Sequence, residues 1–174
     1  MYLISIYFDN ETEDRLNLTM QRVAKTTGNQ FMLDNQIPPH ITVASVETKH
    51  ESDLIARIES ITKNLKQGEI KFVSVGSFST KVVFVQPVLN EYLHQLSEIY
   101  NKELRKEEAV EIDKRYEPFH WFPHTTLAKY LTKDQMKAAF EIMQNQFGPF
   151  EGTITSIGLA STNPYRDLKI LELK

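Results

Sequence analysis

Two stretches of this chain carry the same residue types in the same order: Pro39-His40-Ile41-Thr42-Val43-Ala44 and Pro123-His124-Thr125-Thr126-Leu127-Ala128. In an extended strand, side chains at i and i+2 project from one face, so each copy presents an imidazole beside a hydroxyl. Imidazole titrates near ~6.5, so of two brought together one can accept a proton while the other donates one. The threonine hydroxyls are suited to holding non-bridging phosphoryl oxygens between them. In-line displacement at a phosphodiester asks for this set: a base on the attacking oxygen and an acid on the leaving one. It needs no metal. A single His-x-Thr is better read as a half-buried histidine satisfied by hydrogen bonds; the matched second copy makes His40 and His124 candidate catalytic residues, with Thr42 and Thr126 as phosphate-binding partners.

Such motifs need strands to carry them and a fold that brings the strands together. Tyr2 to Phe8 is rich in β-branched and aromatic residues and predicts a first strand. Leu16, Met20, Val23 and Ala24 fall at helical spacing, with Asn10 and Glu13 as a capping pair and Gly28 as a stop, predicting a helix over Glu11 to Thr27. Pro38-Pro39 leads into a strand from Ile41 to Val46 that holds the first motif. Leu54, Ile58, Ile61 and Leu65 mark a helix closing at Gly68, followed by a strand from Glu69 to Phe78.

After a tight connection at Ser79-Thr80 the series restarts. It runs through a strand at Lys81 to Gln86, a helical stripe of Leu89, Leu93, Leu96 and Tyr100, and a charged stretch from Lys102 to Arg115 that reads as a solvated helix end and loop. The second motif strand covers Pro123 to Tyr130. Thr132 and Gln135 form a capping box before a helix carrying Met136, Phe140, Met143 and Phe147, which Gly148-Pro149 ends. Strands near Thr153 to Ala160 and Leu168 to Leu173 flank the turn Ser161-Thr162-Asn163-Pro164.

Matching features are offset by a nearly constant amount: strand starts 81 − 2 = 79, motif histidines 124 − 40 = 84, following helices 132 − 51 = 81, next strands 151 − 69 = 82. An internal repeat of this kind predicts an α+β fold of two lobes related by a pseudo-twofold axis. Each lobe is expected to be a mostly antiparallel sheet with helices on its outer side, the motif strands facing a shared central cleft. Neither half is large enough to be comfortable alone, so residues 1–174 are expected to form a single bilobal domain with pseudo-repeat halves of approximately 1–80 and 81–174.

Composition narrows the chemistry. With no cysteine among 174 residues, disulfides, thiolate nucleophiles and thiolate metal sites are absent. The 20 basic and 23 acidic residues give a net charge of −3, which is no signature of an extended polyanion-binding surface. Lys81, Lys129, Lys133 and Arg166 are the candidates for a local basic patch. The apolar start, Met1 to Phe8, lacks a basic leader and runs into Asp9, Glu11 and Glu13, and no apolar run reaches membrane-spanning length, so a cytoplasmic monomer without membrane contact is expected.

At the paired His-x-Thr motifs, their separation and the repeated element order, the chain resembles the two-histidine (2H) phosphoesterase superfamily, which includes the 2′-5′ RNA ligases and various cyclic nucleotide phosphodiesterases. The resemblance spans most of the chain and carries over His40, Thr42, His124 and Thr126. It implies metal-independent opening of 2′,3′-cyclic phosphates on RNA ends or small nucleotides, commonly giving a 2′-phosphate, with reverse 2′-5′ ligation in some members and no cofactor. Where the family's second motif often continues with an arginine this chain has Lys129, which keeps the charge, loses the planar fork, and has the opposite strand parity to His124. Tyr165 resembles a family tyrosine that follows a loop into the last strand.

Around the second motif, His120 and His124 have the i, i+4 spacing of helical zinc ligands, but Pro123 argues against the helix that spacing requires, leaving His120 as a loop residue at the cleft rim. Phe119, Trp121 and Phe122 offer faces on which a base could stack, or the packing of a lobe interface. His50 and His94 have no partner at a telling spacing and read as surface residues. Lys129, Tyr165, His120 and Trp121 are therefore candidate substrate-binding residues, and no metal set emerges. Three other readings compete with ring opening: a nucleotide or RNA-end binding module without turnover, a 3′-end exoribonuclease acting by transesterification, and a structural duplication with no phosphate site.

Overall fold

The computed structural model describes residues 1–162 and 164–174; Asn163 of the predicted last turn lies outside the described residues. Strands β1 (Tyr2–Phe8) and β2 (Ile41–Glu47) are separated by helices α1 (Asn10–Thr27) and α2 (Phe31–Asp34). Helix α3 (Glu51–Thr62) leads to β3 (Gly68–Phe78) and β4 (Val82–Pro87). Helix α4 (Glu91–Leu104), the short β5 (Glu111–Ile112), β6 (Thr125–Lys129), α5 (Lys133–Gln146), β7 (Phe150–Ser161) and β8 (Arg166–Glu172) complete the order.

All strand pairings are antiparallel, and the sheet runs β5-β2-β1-β7-β3-β4-β6 with β8 also paired to β7. Apart from β5 and β8, this order reads the same from either end once β1, β2 and β3 are matched to β4, β6 and β7. The repeat is therefore real in space and the fold is the expected antiparallel, two-lobed α+β one, with a strand exchanged between the halves. The third strand of each half crosses over: β7 pairs with β1, and β3 with β4. The two meet at a central seam where Phe72 stacks on Phe150, ring centroids 4.8 Å apart. The helices exchange in the same sense, α1 against α5 and α3 against α4. Burying both inner faces requires residues from the whole chain, which gives one continuous apolar core.

Local chemistry sets the element ends. The cap of α1 is Asp9, one residue before the predicted Asn10, its carboxylate accepting from Thr12 N; Asn90 does the same for Leu93 N at α4. Gly28, at φ 71°, stops α1 as predicted, and the Thr132/Gln135 capping box opens α5. The predicted run of α3 to Gly68 is too long. The helix ends at Thr62, and Gly68 instead begins β3, where an added Cβ would meet the Tyr92 ring at 2.5 Å.

Within the charged stretch the expected loop is partly ordered: Ile112 pairs with Val46 of β2, and a short turn of 3-10 helix, Lys114–Tyr116, follows. Although β2 and β6 lie towards opposite ends of the sheet, its curl brings them into contact. The two motifs therefore meet.

Candidate active site

Each motif histidine is the residue just before its strand, rather than within it. Both are half-buried, and both are fixed in the same way: His40 Nδ1 lies 2.8 Å from the carbonyl of Pro38, and His124 Nδ1 lies 2.8 Å from that of Phe122. A carbonyl can only accept, so Nδ1 carries the proton in each ring and Nε2 is left for the cleft. Thr42 and Thr126 follow on β2 and β6, and all four residues line one cleft of about 850 Å³.

The strands are not regular. Ser5 pairs with Thr42 and Ile4 with Ala44, skipping Val43; Phe84 pairs with Thr126 and Val83 with Ala128, skipping Leu127. Each motif thus carries a β-bulge at the residue after its threonine, which inserts one residue and reverses the parity beyond it. This corrects the reading of Lys129. Val82 and Phe84 share a face of β4 and pair with Lys129 and Thr126, so the lysine lies on the threonine's side and lines the cleft.

Trp121 is 7% exposed, and its indole Nε1 donates to the Thr42 carbonyl at 2.8 Å, tying a residue of the second half to the first motif. It forms part of the cleft floor. Phe119 points elsewhere, 85% exposed and against His94, whose own ring is partly covered rather than fully on the surface. His120 is an exposed rim residue, in a turn and not a helix. Tyr165 stacks on His40, centroids 6.2 Å apart and planes at 28°.

Two imidazoles with Nε2 left for the cleft thus face one space, each beside its motif threonine. A family model described as the 2′-5′ RNA ligase superfamily matches residues 12–166. The chain belongs to this superfamily of 2H phosphoesterases. Solved structures of the same fold include TT0787 of Thermus thermophilus and E. coli LigT complexed with 3′-AMP, each at TM-score 0.65 and 16% identity, covering 99% of this chain and 97% of theirs. Another, described as a phosphoesterase, aligns at TM-score 0.62 and 14% identity over 99% and 98% of the two chains. No curated protein matches by sequence.

In this 2H phosphoesterase the cleft also takes in residues that no sequence motif marks. Arg115, the end of the charged stretch, and Tyr116 after it form part of the wall, and Phe31 and Tyr130 meet edge to face at 4.7 Å beside Lys129. Of the four predicted basic candidates, Lys129 lines the cleft, and Arg115 joins it. No aspartate or glutamate occurs among the described lining residues, but the Arg115 guanidinium is already held by the Asp113 carboxylate, so Lys129 is the cation that suits the cleft to an anion although the chain is acidic overall. Among the described residues, no group of three or more His, Cys, Asp or Glu is arranged to hold a metal ion.

Burial pushes both imidazoles below their ordinary range. At His40 it is opposed by the bond to Pro38 and by Asp167 and deepened by Lys129; at His124 it is opposed by the bond to Phe122 and deepened by His40. The unfolded chain therefore takes up these two protons at higher pH than the native state, and stability must fall as pH drops below about 6.5 through the depressed native values. The melting temperature should decline between pH 7.5 and 5.5, and the decline should be shallower in the His40→Gln/His124→Gln double variant. Equal slopes for the two proteins would remove imidazole burial as its cause.

Proposed function

We propose that this 2H phosphoesterase opens 2′,3′-cyclic phosphates on RNA ends or small nucleotides by proton transfer between His40 and His124. The observation that carries the reading is the matched pair of Nδ1-anchored imidazoles, each beside a motif threonine, in a single cleft. One Nε2 takes a proton from water as its oxygen bonds to phosphorus; the other returns a proton to the departing ribose 3′-oxygen as the P–O3′ bond breaks, leaving a 2′-phosphate. Thr42 and Thr126 hold the phosphoryl oxygens, and Lys129 balances the charge gathering on them, the Arg115 guanidinium being already paired with Asp113. The cleft volume is in the range of small-ligand sites, which fits a nucleotide or a chain end better than a duplex. Tyr116, Tyr130 and Phe31 supply aromatic faces for a base.

The test is product analysis by ³¹P NMR on a nucleoside 2′,3′-cyclic phosphate and on an oligoribonucleotide with a cyclic end, both in chelator. A 2′-phosphate is expected from each. Quenching of Trp121, the single tryptophan, by nucleotide with no product from either substrate would favour a binding module instead. A new cyclic end appearing on an oligonucleotide that began with a free 3′-hydroxyl would identify an exoribonuclease.

A further inference from the structure

The two motifs are matched in sequence, in bulge and in the Nδ1 anchor, yet their surroundings differ. Glycines at matched places in the third strands, Gly76 and Gly158 (158 − 76 = 82), each make room for an aromatic ring from the neighbouring strand. Gly76 admits Phe84, which packs with Phe78 against His124, centroids 5.2 and 4.7 Å away. Gly158 admits Tyr7, whose ring lies 6.3 Å from His40. Strand β8 has no counterpart in the first half, and it brings a carboxylate to His40's side alone. The Tyr7 hydroxyl lies 2.9 Å from Asp167 Oδ1 and 2.8 Å from the Tyr165 hydroxyl, which is itself 3.0 Å from the same carboxylate oxygen. Burial holds both phenols well above their usual range, so they stay protonated and serve Asp167 as donors.

We propose that Asp167, oriented by Tyr7 and Tyr165, is a positioning residue that places the single proton of the histidine pair on His40, leaving His124 as the base. This rests on the reading of the cleft as a two-histidine site, and it names the groups of this chain that break the symmetry of the repeat. The charged and titratable groups facing His40 are Asp167 from β8, Lys129 from β6, the phenols of Tyr7 and Tyr165, and His124 across the cleft. Lys129 opposes a second positive charge there. A bound phosphodiester anion offsets it, whereas Asp167 acts on His40 throughout. On the outer side, Asp9, Glu13 and Glu172 line the same depression as Tyr7 and Asp167 and add negative potential. His124 faces Phe78 and Phe84, which offer an imidazolium no carboxylate.

The experiment is an NMR titration of the free protein with ¹⁵N-labelled histidine at low ionic strength, since Asp167 is exposed and salt would screen it. Imidazole signals would be assigned with His40→Gln and His124→Gln. His40 should titrate at higher pH than His124 in the unaltered protein. Asp167→Asn should lower the His40 midpoint and leave that of His124 in place, and in turnover it should move the alkaline limb of the pH profile to lower pH. His124 titrating above His40, or a His40 midpoint unmoved in Asp167→Asn, overturns the assignment. The order in the unaltered protein needs no variant to fold. Because the titration involves no substrate, absence of turnover would end the phosphodiesterase reading without touching this result, and a reversed order would do the converse.

Discussion

Replacing His40 or His124 by alanine is expected to cut turnover of a 2′,3′-cyclic phosphate by about 10²–10⁴-fold, the range for loss of a positioned general acid or base. The two losses should not add. Each imidazole is useful only while the other completes the proton transfer, so the double variant should be little worse than either single one. KM should change less than kcat, because Thr42, Thr126 and Lys129 remain in the cleft to hold the phosphate. Folding should survive: each ring is half-buried at the cleft, and the carbonyls of Pro38 and Phe122 can turn to water once Nδ1 is gone. Steady-state kinetics in chelator, with circular dichroism to confirm the fold, decide the matter. If either single variant kept near-normal kcat, two-histidine acid/base chemistry would be excluded.

What the sequence displayed and what it hid divide along the range of the interactions concerned. Periodicity of Leu16, Met20 and Val23, the Gly28 stop and the Thr132/Gln135 box are local signals, and they place α1 and α5 within a residue or so of their observed ends. The repeat offset is a long-range signal of unusual clarity, and it brings the motifs together. Nothing local shows that β3 and β7 change sides, because a strand's partner is chosen by tertiary packing. The bulges at Val43 and Leu127 are equally silent in the letters, and strict alternation then sends Lys129 to the wrong face. Arg115 sits in a run whose charge reads as solvated, and it is pulled to the cleft by the pairing of Ile112 with Val46. Asp167 looks like one more acid on an edge strand until Tyr7, 160 positions earlier, is found bonded to it. One signal bears on Tyr7: a tyrosine buried in a largely apolar strand needs a partner for its hydroxyl.

Trp121→Ala is expected to cost about 3–5 kcal/mol of stability, the range for truncating a large buried aromatic side chain, and so a large share of a domain's total. The indole is 7% exposed and belongs to the continuous core, so the space it leaves cannot fill without moving β2 or β6. Trp121→Phe separates volume from hydrogen bonding. Phenylalanine keeps most of the packing but cannot donate to the Thr42 carbonyl, and a carbonyl left without its donor in that setting costs about 1–3 kcal/mol. The same bond fixes the backbone that carries the Thr42 hydroxyl, so Trp121→Phe should also weaken catalysis several-fold while leaving the pH profile where it was. Urea unfolding followed by circular dichroism reads the first effect; fluorescence cannot, since Trp121 is the single tryptophan. If Trp121→Phe were as stable and as active as the unaltered protein, the indole would be packing alone, and the link between the two halves at the first motif would have to be carried by the β2–β6 contact instead.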